Sequence, residues 1–243
     1  MPNNITAVLT SYNRPDNSLA QLKAIRAQVL PPDRCIVVQN QGEMPKAEFP
    51  HDCDILDLNF NSMFHGRFAA ALLATTKYVA IFDDDVLPGP NYLTSCVEVS
   101  EMYNNSILVG SGVRLLGDGH HHQEKYGWNS NPTDYPVQVD FGGHSWFCET
   151  DTLKYLWYER PLLWNNGEDI AFSYLASKYG NVSTYALPHP PEDSSVWSNI
   201  EPTWGSDEYA TYKKDRELHL RLRDDLCRHY ISSGWDLARF KLN

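Results

Sequence analysis

"YVAIFDDD", residues 78–85, decides the fold: an apolar run passes straight into Asp83, Asp84 and Asp85. A short, unbroken apolar stretch of this kind reads as a strand buried on both faces. Three adjacent carboxylates repel one another unless a cation shares their site. In open α/β sheets, ligands bind outside the carboxyl ends of the strands, which is where these aspartates fall. Oxygen donors with no Cys or His cluster beside them suit Mg²⁺ or Mn²⁺. Such ions keep one or two carboxylates and take phosphate oxygens from a substrate. A solvated acidic turn is the bland alternative, and the buried strand abutting the triplet argues against it.

The surrounding chain fits that strand into an alternating order. "ITAVLT" (5–10) reads as a strand, and Leu19, Leu22, Ile25 and Val29 recur at helical spacing before "LPPD". "CIVVQNQG" (35–42) and "CDILDLN" (53–59) are further strands, and 62–76 is a mostly apolar helix. After the aspartates come a helix over 89–103, a strand over 106–115 and a polar loop over 117–136. A strand over 137–143, an aromatic-rich segment, a helix within 165–180 and a strand after 181 follow. Leu218, Leu222 and Leu226 mark one face of a C-terminal helix. The expected architecture is α/β, a mostly parallel Rossmann-like sheet flanked by helices with a C-terminal helical tail. One domain spans 1–243: a donor half (1–116), an acceptor half (117–200) and the tail (201–243).

Bulk properties narrow the function classes. Lys and Arg number 20 against 31 Asp and Glu, a net charge of −11. That balance argues against a long nucleic-acid footprint, which needs many cations. The start, "MPNNITAVLTSYNRP", has no apolar signal core, and no apolar run approaches the roughly 20 residues of a spanning helix. The 5 cysteines are scattered and read as reduced, buried thiols. No transmembrane segment and a cytoplasmic location are therefore expected.

Neither common phosphate cradle is present: G-x-x-x-x-G-K-[ST] is absent, and "GSGVRLLG" (110–117) has the wrong spacing. A diphosphate would rest on the metal and a few side chains. Arg67 is the best-placed cation, with a surface helix cap as the alternative. A second acidic pair, Glu168 and Asp169, opens a helix, where the macrodipole favours ionised carboxylates. Such a group can act as a general base or stabilise positive charge on a sugar ring.

"TAVLTSYNRPD", "CIVVQNQG", "YVAIFDDDVLPG" and "GEDIAFSYLAS" occur in the order seen in GT-A glycosyltransferases, and the set resembles the exostosin-like branch over about residues 5–190. The resemblance implies roles for individual residues. Thr10, Tyr12 and Arg14 would line the nucleotide-base pocket with Asn40, and Arg67 would touch base or diphosphate. Asp84 would bind ribose, Asp85 would coordinate the metal, and Asp83 would support it. Asp169 would be the catalytic carboxylate with Glu168 alongside. His189 falls where such enzymes supply a late metal or diphosphate ligand, with a turn histidine as its alternative. Gly143, His144, Trp146 and Trp164 are candidates for acceptor contact, the tryptophans by stacking on a sugar face, with a bent core strand as the alternative reading of "DFGGHSWF" (140–147). "GHHHQ" (119–123) reads as a mobile flap, inert or touching the acceptor. The resemblance implies a nucleotide-diphosphate sugar donor, UDP-linked, a glycan acceptor and transfer with retention. "GED" stands where that branch often has two aspartates, and paired cysteines are missing, which counts against heparan-type substrates. The rivals are a metal-dependent phosphohydrolase, which would want an acid at the end of the first strand, and a silent carbohydrate-binding module, which would need neither acidic cluster.

Overall fold

The computed structural model describes residues 2–128, 130–205, 207–210, 213 and 215–238. Among the described residues nine strands form one sheet: β1 (Ile5–Ser11), β2 (Arg34–Gln39), β3 (Asp54–Asp57), β4 (Tyr78–Phe82), β5 (Ser106–Leu115), β6 (Gln123–Gly127), β7 (Val137–Val139), β8 (Phe141–Glu149) and β9 (Ser183–Ala186). Their order is β3-β2-β1-β4-β8-β5-β9-β7, with β6 added to β5. β1, β2, β3, β4, β5 and β9 run one way and β6, β7 and β8 the other. The chain is thus α/β with a mostly parallel central sheet, as the alternation implies.

Alternate residues of the central strands feed two cores. Val8, Ile36, Val38, Val79 and Ile81 pack on one face, and Ala7, Leu9, Val37, Ala80 and Phe82 on the other. Burial on both faces is why these strands read as unbroken apolar runs. The helices are α1 (Pro15–Arg26), α2 (His65–Ala71), α3 (Tyr92–Met102), α4 (Glu168–Gly180) and α5 (Arg216–Ser232). α1 begins with Pro15 and Asp16 and ends with Lys23 and Arg26, matching ring geometry and dipole at both ends. Among the described residues, no helix is long and apolar enough to cross a membrane. All five cysteines are free and buried.

Several expectations change. Val29 lies beyond α1 and is 69% exposed. The helix placed at 62–76 is cut to α2, leaving Leu72 and Leu73 on the surface. The supposed loop 117–136 contains β6, and the strand placed at 137–143 is two, β7 and β8. β8 takes in most of the aromatic-rich segment and runs antiparallel between β4 and β5 at the centre of the sheet. In α5 the buried residues are Leu226, Cys227 and Tyr230, while Leu218 is exposed.

Candidate active site

Three loops meet where the parallel strands end. The loop after β1 carries Tyr12, Asn13 and Arg14, and the loop after β4 carries the three aspartates. Asn13 adopts φ +57°, and its Oδ1 accepts from the amides of Glu43 and Met44, fastening the first loop to the one after β2. Asn40, at the end of β2, accepts from the Ser62 amide (2.9 Å) and hydroxyl (2.7 Å) and so fixes the approach to α2. Thr10 is buried with its hydroxyl unpartnered, and Tyr12 is half-buried.

A bulge brings β8 into this corner. Between the pairs Val109↔Trp146 and Ser111↔Gly143 the register shifts, so His144 and Ser145 together oppose Gly110. Bulges re-aim side chains and are frequent beside active sites. His144 takes φ +69°, an uncommon conformation for a residue with a Cβ, and its carbonyl accepts from the Asp83 amide at 3.0 Å. Among the described residues, Asp83, Asp85 and His144 form the group that could hold a metal ion, with ligand atoms within 4.8 Å of one another. His144 Nδ1 is buried without a hydrogen-bond partner. A histidine with an unpartnered ring nitrogen, grouped with two carboxylates, fits a hard divalent cation that tolerates one imidazole.

The remaining charges are interlocked. Arg14 donates to Asp84 and, through Nε and Nη2 at 2.6 Å each, to both oxygens of Asp207. Gly205 stands over the triplet with φ +77°, and a Cβ there would lie 2.6 Å from Asp85 Oδ2. Gly205 and Asp207 therefore strap the aspartates. Arg67 is buried under Trp146, whose ring centre is 4.9 Å from the guanidinium carbon. Its Nη2 is 2.9 Å from Asp83 and 2.8 Å from Glu168. Burial pushes Asp84 up to about 7 against the opposing charge of Arg14. It also pushes Glu168 up to about 7 against that of Arg67.

Glu168 and Asp169 open α4 behind Gly167, whose φ is +77° and whose missing Cβ leaves room for Leu226. Arg223 of α5 grips Asp169 with both terminal nitrogens, at 3.0 and 2.7 Å. Burial works against ionisation of Asp169, but the Arg223 charge and hydrogen bonds outweigh it and hold the carboxyl below its ordinary value. The two neighbouring carboxyls are thus driven apart, the arrangement that separates acid and base roles in enzymes.

Beyond Thr10, Tyr12 and Asn40, the predicted site residues end in different surroundings. Arg14, Asp83, Asp84, Asp85, Arg67, Glu168 and Asp169 form one charged network, with His144 beside it as a candidate metal ligand rather than an acceptor contact. Gly143 faces open space, and Trp164 is 51% exposed with its ring centre 4.9 Å from that of His65. Four expectations are corrected. Trp146 is 2% exposed and donates to the Gly142 carbonyl, so it packs in the core and cannot stack on a sugar. His189 stacks on Trp197 at 4.1 Å instead of joining the metal group, and burial pushes it down to about 4. Arg67 is a counter-ion for two carboxylates and not an open phosphate ligand. "GHHHQ" is docked rather than loose: His120 is buried against Phe141, and His121 pairs with Asp224 at 2.7 Å. Arg223 and Asp207 carry no sequence signal, because each reaches the site from the tail.

No protein-family pattern and no curated protein sequence matches the chain. Solved structures do. The crystal structure of S. aureus TarS 1-349 aligns with a TM-score of 0.52 at 14% identity, over 77% of this chain and 60% of that one. The crystal structure of S. aureus TarS aligns with a TM-score of 0.51 at 16% identity, over 79% and 37%. This chain therefore spans about 60% of the shorter of those proteins and less of the longer. At such low identity the likeness establishes the fold alone, a mixed α/β sheet flanked by helices that this chain shares with TarS.

Proposed function

We propose that the chain is a metal-dependent glycosyltransferase that moves a sugar from a nucleotide-diphosphate donor, UDP-linked, to a glycan hydroxyl. The observation that carries this reading is the meeting, on a glycosyltransferase-like fold, of Asp83, Asp85 and His144 with the carboxylates that open α4. Asp83, Asp85 and His144 would hold Mn²⁺ or Mg²⁺, which supplies charge neutralisation for a departing nucleoside diphosphate. The exostosin-like assignment and the division into donor half, acceptor half and tail belong to the same proposal.

The chain's own groups supply the rest. Thr10, Tyr12 and Arg14 line the donor side, where the buried Thr10 hydroxyl and Asn13 Nδ2 lack partners. Such unpaired groups are costly unless something bonds to them, and the polar edge of a base or ribose would do so. Asp169 faces the transferred sugar as an ionised carboxylate. Because Arg223 lowers its proton affinity, it serves better to stabilise charge than to take a proton, which favours transfer with retention. Gly143 and Trp164 leave room and an aromatic face for an acceptor.

The test is turnover of UDP-glucose, UDP-galactose and UDP-N-acetylglucosamine with Mn²⁺ and a panel of oligosaccharide acceptors. An elongated glycan formed by the wild type and not by Asp85→Ala supports the proposal, and the product's anomeric configuration reads the stereochemistry. Phosphate release without sugar transfer points to a phosphohydrolase. Glycan affinity that survives Asp85→Ala with no turnover points to a binding module.

A further inference from the structure

α5 reaches the carboxylate of Asp169 through Arg223. Arg223 projects from its inward face, one turn before Leu226 and Cys227, and spends its whole guanidinium there. Nη1 and Nη2 take the two oxygens of Asp169 at 3.0 and 2.7 Å, Nη1 also reaches Asn166 Oδ1 at 3.3 Å, and Nε donates to His120 Nε2 at 3.2 Å. The guanidinium carbon lies 5.5 Å from the centre of the Phe141 ring. The side chains of Arg223 and Asp169 are only 13% and 9% exposed.

A buried pair of this kind is weak evidence for stability, because the desolvation of both ions offsets most of their attraction. What it supplies is geometry. A two-pronged contact fixes a carboxylate in plane and in rotation, which a single ammonium contact does not. The guanidinium is itself held from outside. His120 accepts from Nε, and its own turn is clipped to α5 by Asp118–Arg228 at 3.0 Å and His121–Asp224 at 2.7 Å. α5 and the 118–121 turn thus act together on one carboxylate that lies 54 residues from Arg223 in sequence.

We infer that Arg223 is a positioning residue for transfer, fixing the plane and aim of Asp169 toward the sugar, with His120 fixing Arg223 in turn. This rests on the reading of Asp169 as the carboxylate facing the transferred sugar. Misplacing a reacting group by about 1 Å can cost about 10²-fold in rate, so the effect belongs in kcat and not in donor affinity.

The experiment compares wild type, Arg223→Met, Arg223→Lys and His120→Asn. It reads UDP affinity with Mn²⁺ by calorimetry, and kcat and KM for transfer from the UDP-sugar that the wild type uses. Arg223→Met is expected to lose roughly 10²-fold in kcat with UDP affinity and donor KM unchanged within about threefold. Arg223→Lys should recover part of that loss, and His120→Asn should show a smaller fall of the same kind. A kcat within about threefold of wild type in Arg223→Met overturns the inference while leaving the functional proposal standing. So does a fall in kcat matched by an equal fall in UDP affinity in both Arg223 variants, which marks a merely structural role. A wild type that neither binds UDP nor transfers sugar sinks the functional proposal, and this inference with it.

Discussion

Replacing Arg67 with Met withdraws one guanidinium from two carboxylates while keeping an unbranched, largely apolar side chain. The Arg67 side chain is 4% exposed and that of Glu168 7%, whereas Asp83 at 26% keeps some contact with water. Deleting one partner of a buried ion pair costs about 3–5 kcal/mol, mostly because the other charge is stranded. Glu168 should dominate that cost, being the more buried acid. It has an escape, which is to take up a proton. Its folded-state value already lies near 7, above the ordinary 4.5, and loss of Arg67 raises it further. A carboxyl whose folded-state pKa exceeds its unfolded one contributes stability at low pH that is lost as pH rises. The penalty of Arg67→Met should therefore be about 3–5 kcal/mol at pH 8 and shrink to about 1–2 kcal/mol near pH 5.5, read by urea denaturation. Arg67→Met/Glu168→Gln should recover about 2 kcal/mol of the pH 8 loss. A penalty below about 1 kcal/mol at pH 8, or one unchanged when Glu168→Gln is already in place, would refute the claim that Arg67 holds a buried acid in place.

Gly205→Ala sets a methyl group against Asp85 in a backbone conformation that suits glycine. Manganese-dependent UDP affinity should drop about tenfold or more, and an unchanged affinity in calorimetry would mean the strap does not crowd the triplet. Asp207→Asn weakens the clamp from Arg14, so limited proteolysis within 204–210 should speed up several-fold; equal cleavage rates would show the clamp to be idle. His120 and His189 are both pushed down to about 4, His120 by burial and the nearby Arg223 charge, His189 by burial alone. A base depressed in the folded state contributes stability present above about pH 6.5 and lost as pH falls toward 4. His189→Phe keeps a ring on Trp197 and removes one titration, so it should relieve about 1–3 kcal/mol of the acid-induced loss, measured by urea denaturation at pH 7 and pH 4.5.

The sequence makes the parallel half legible because its strands are buried on both faces and end in polar turns. β4 and its aspartates are the clearest case. β8 is hidden for the opposite reason. "FGGHSWFCE" shows no alternation, carries two glycines and a bulge, and finds its partners far away in sequence, as the pairs Tyr78↔Glu149 and Ile107↔Cys148 illustrate. The acids of the site were legible as clusters and Arg14 and Arg67 as site cations, but their pairing with those acids was not, and Arg223 and Asp207 gave no signal at all. Arg14 meets Asp207 across 193 residues and Arg223 meets Asp169 across 54, separations that no local pattern encodes. Trp146 and His144 both leave the acceptor contact expected of them at the same bulge, the histidine lying with the aspartates and the tryptophan in the core.

The proposed transfer depends on a nucleotide site organised by a metal at Asp83, Asp85 and His144. Calorimetric titration of UDP, with GDP as the comparison, in Mn²⁺ and then in excess chelator tests it most directly. The expected result is UDP binding that requires the metal and disappears in Asp85→Ala. Binding of neither nucleotide with Mn²⁺ or Mg²⁺, or UDP binding indifferent to chelator and to Asp85→Ala, would contradict it.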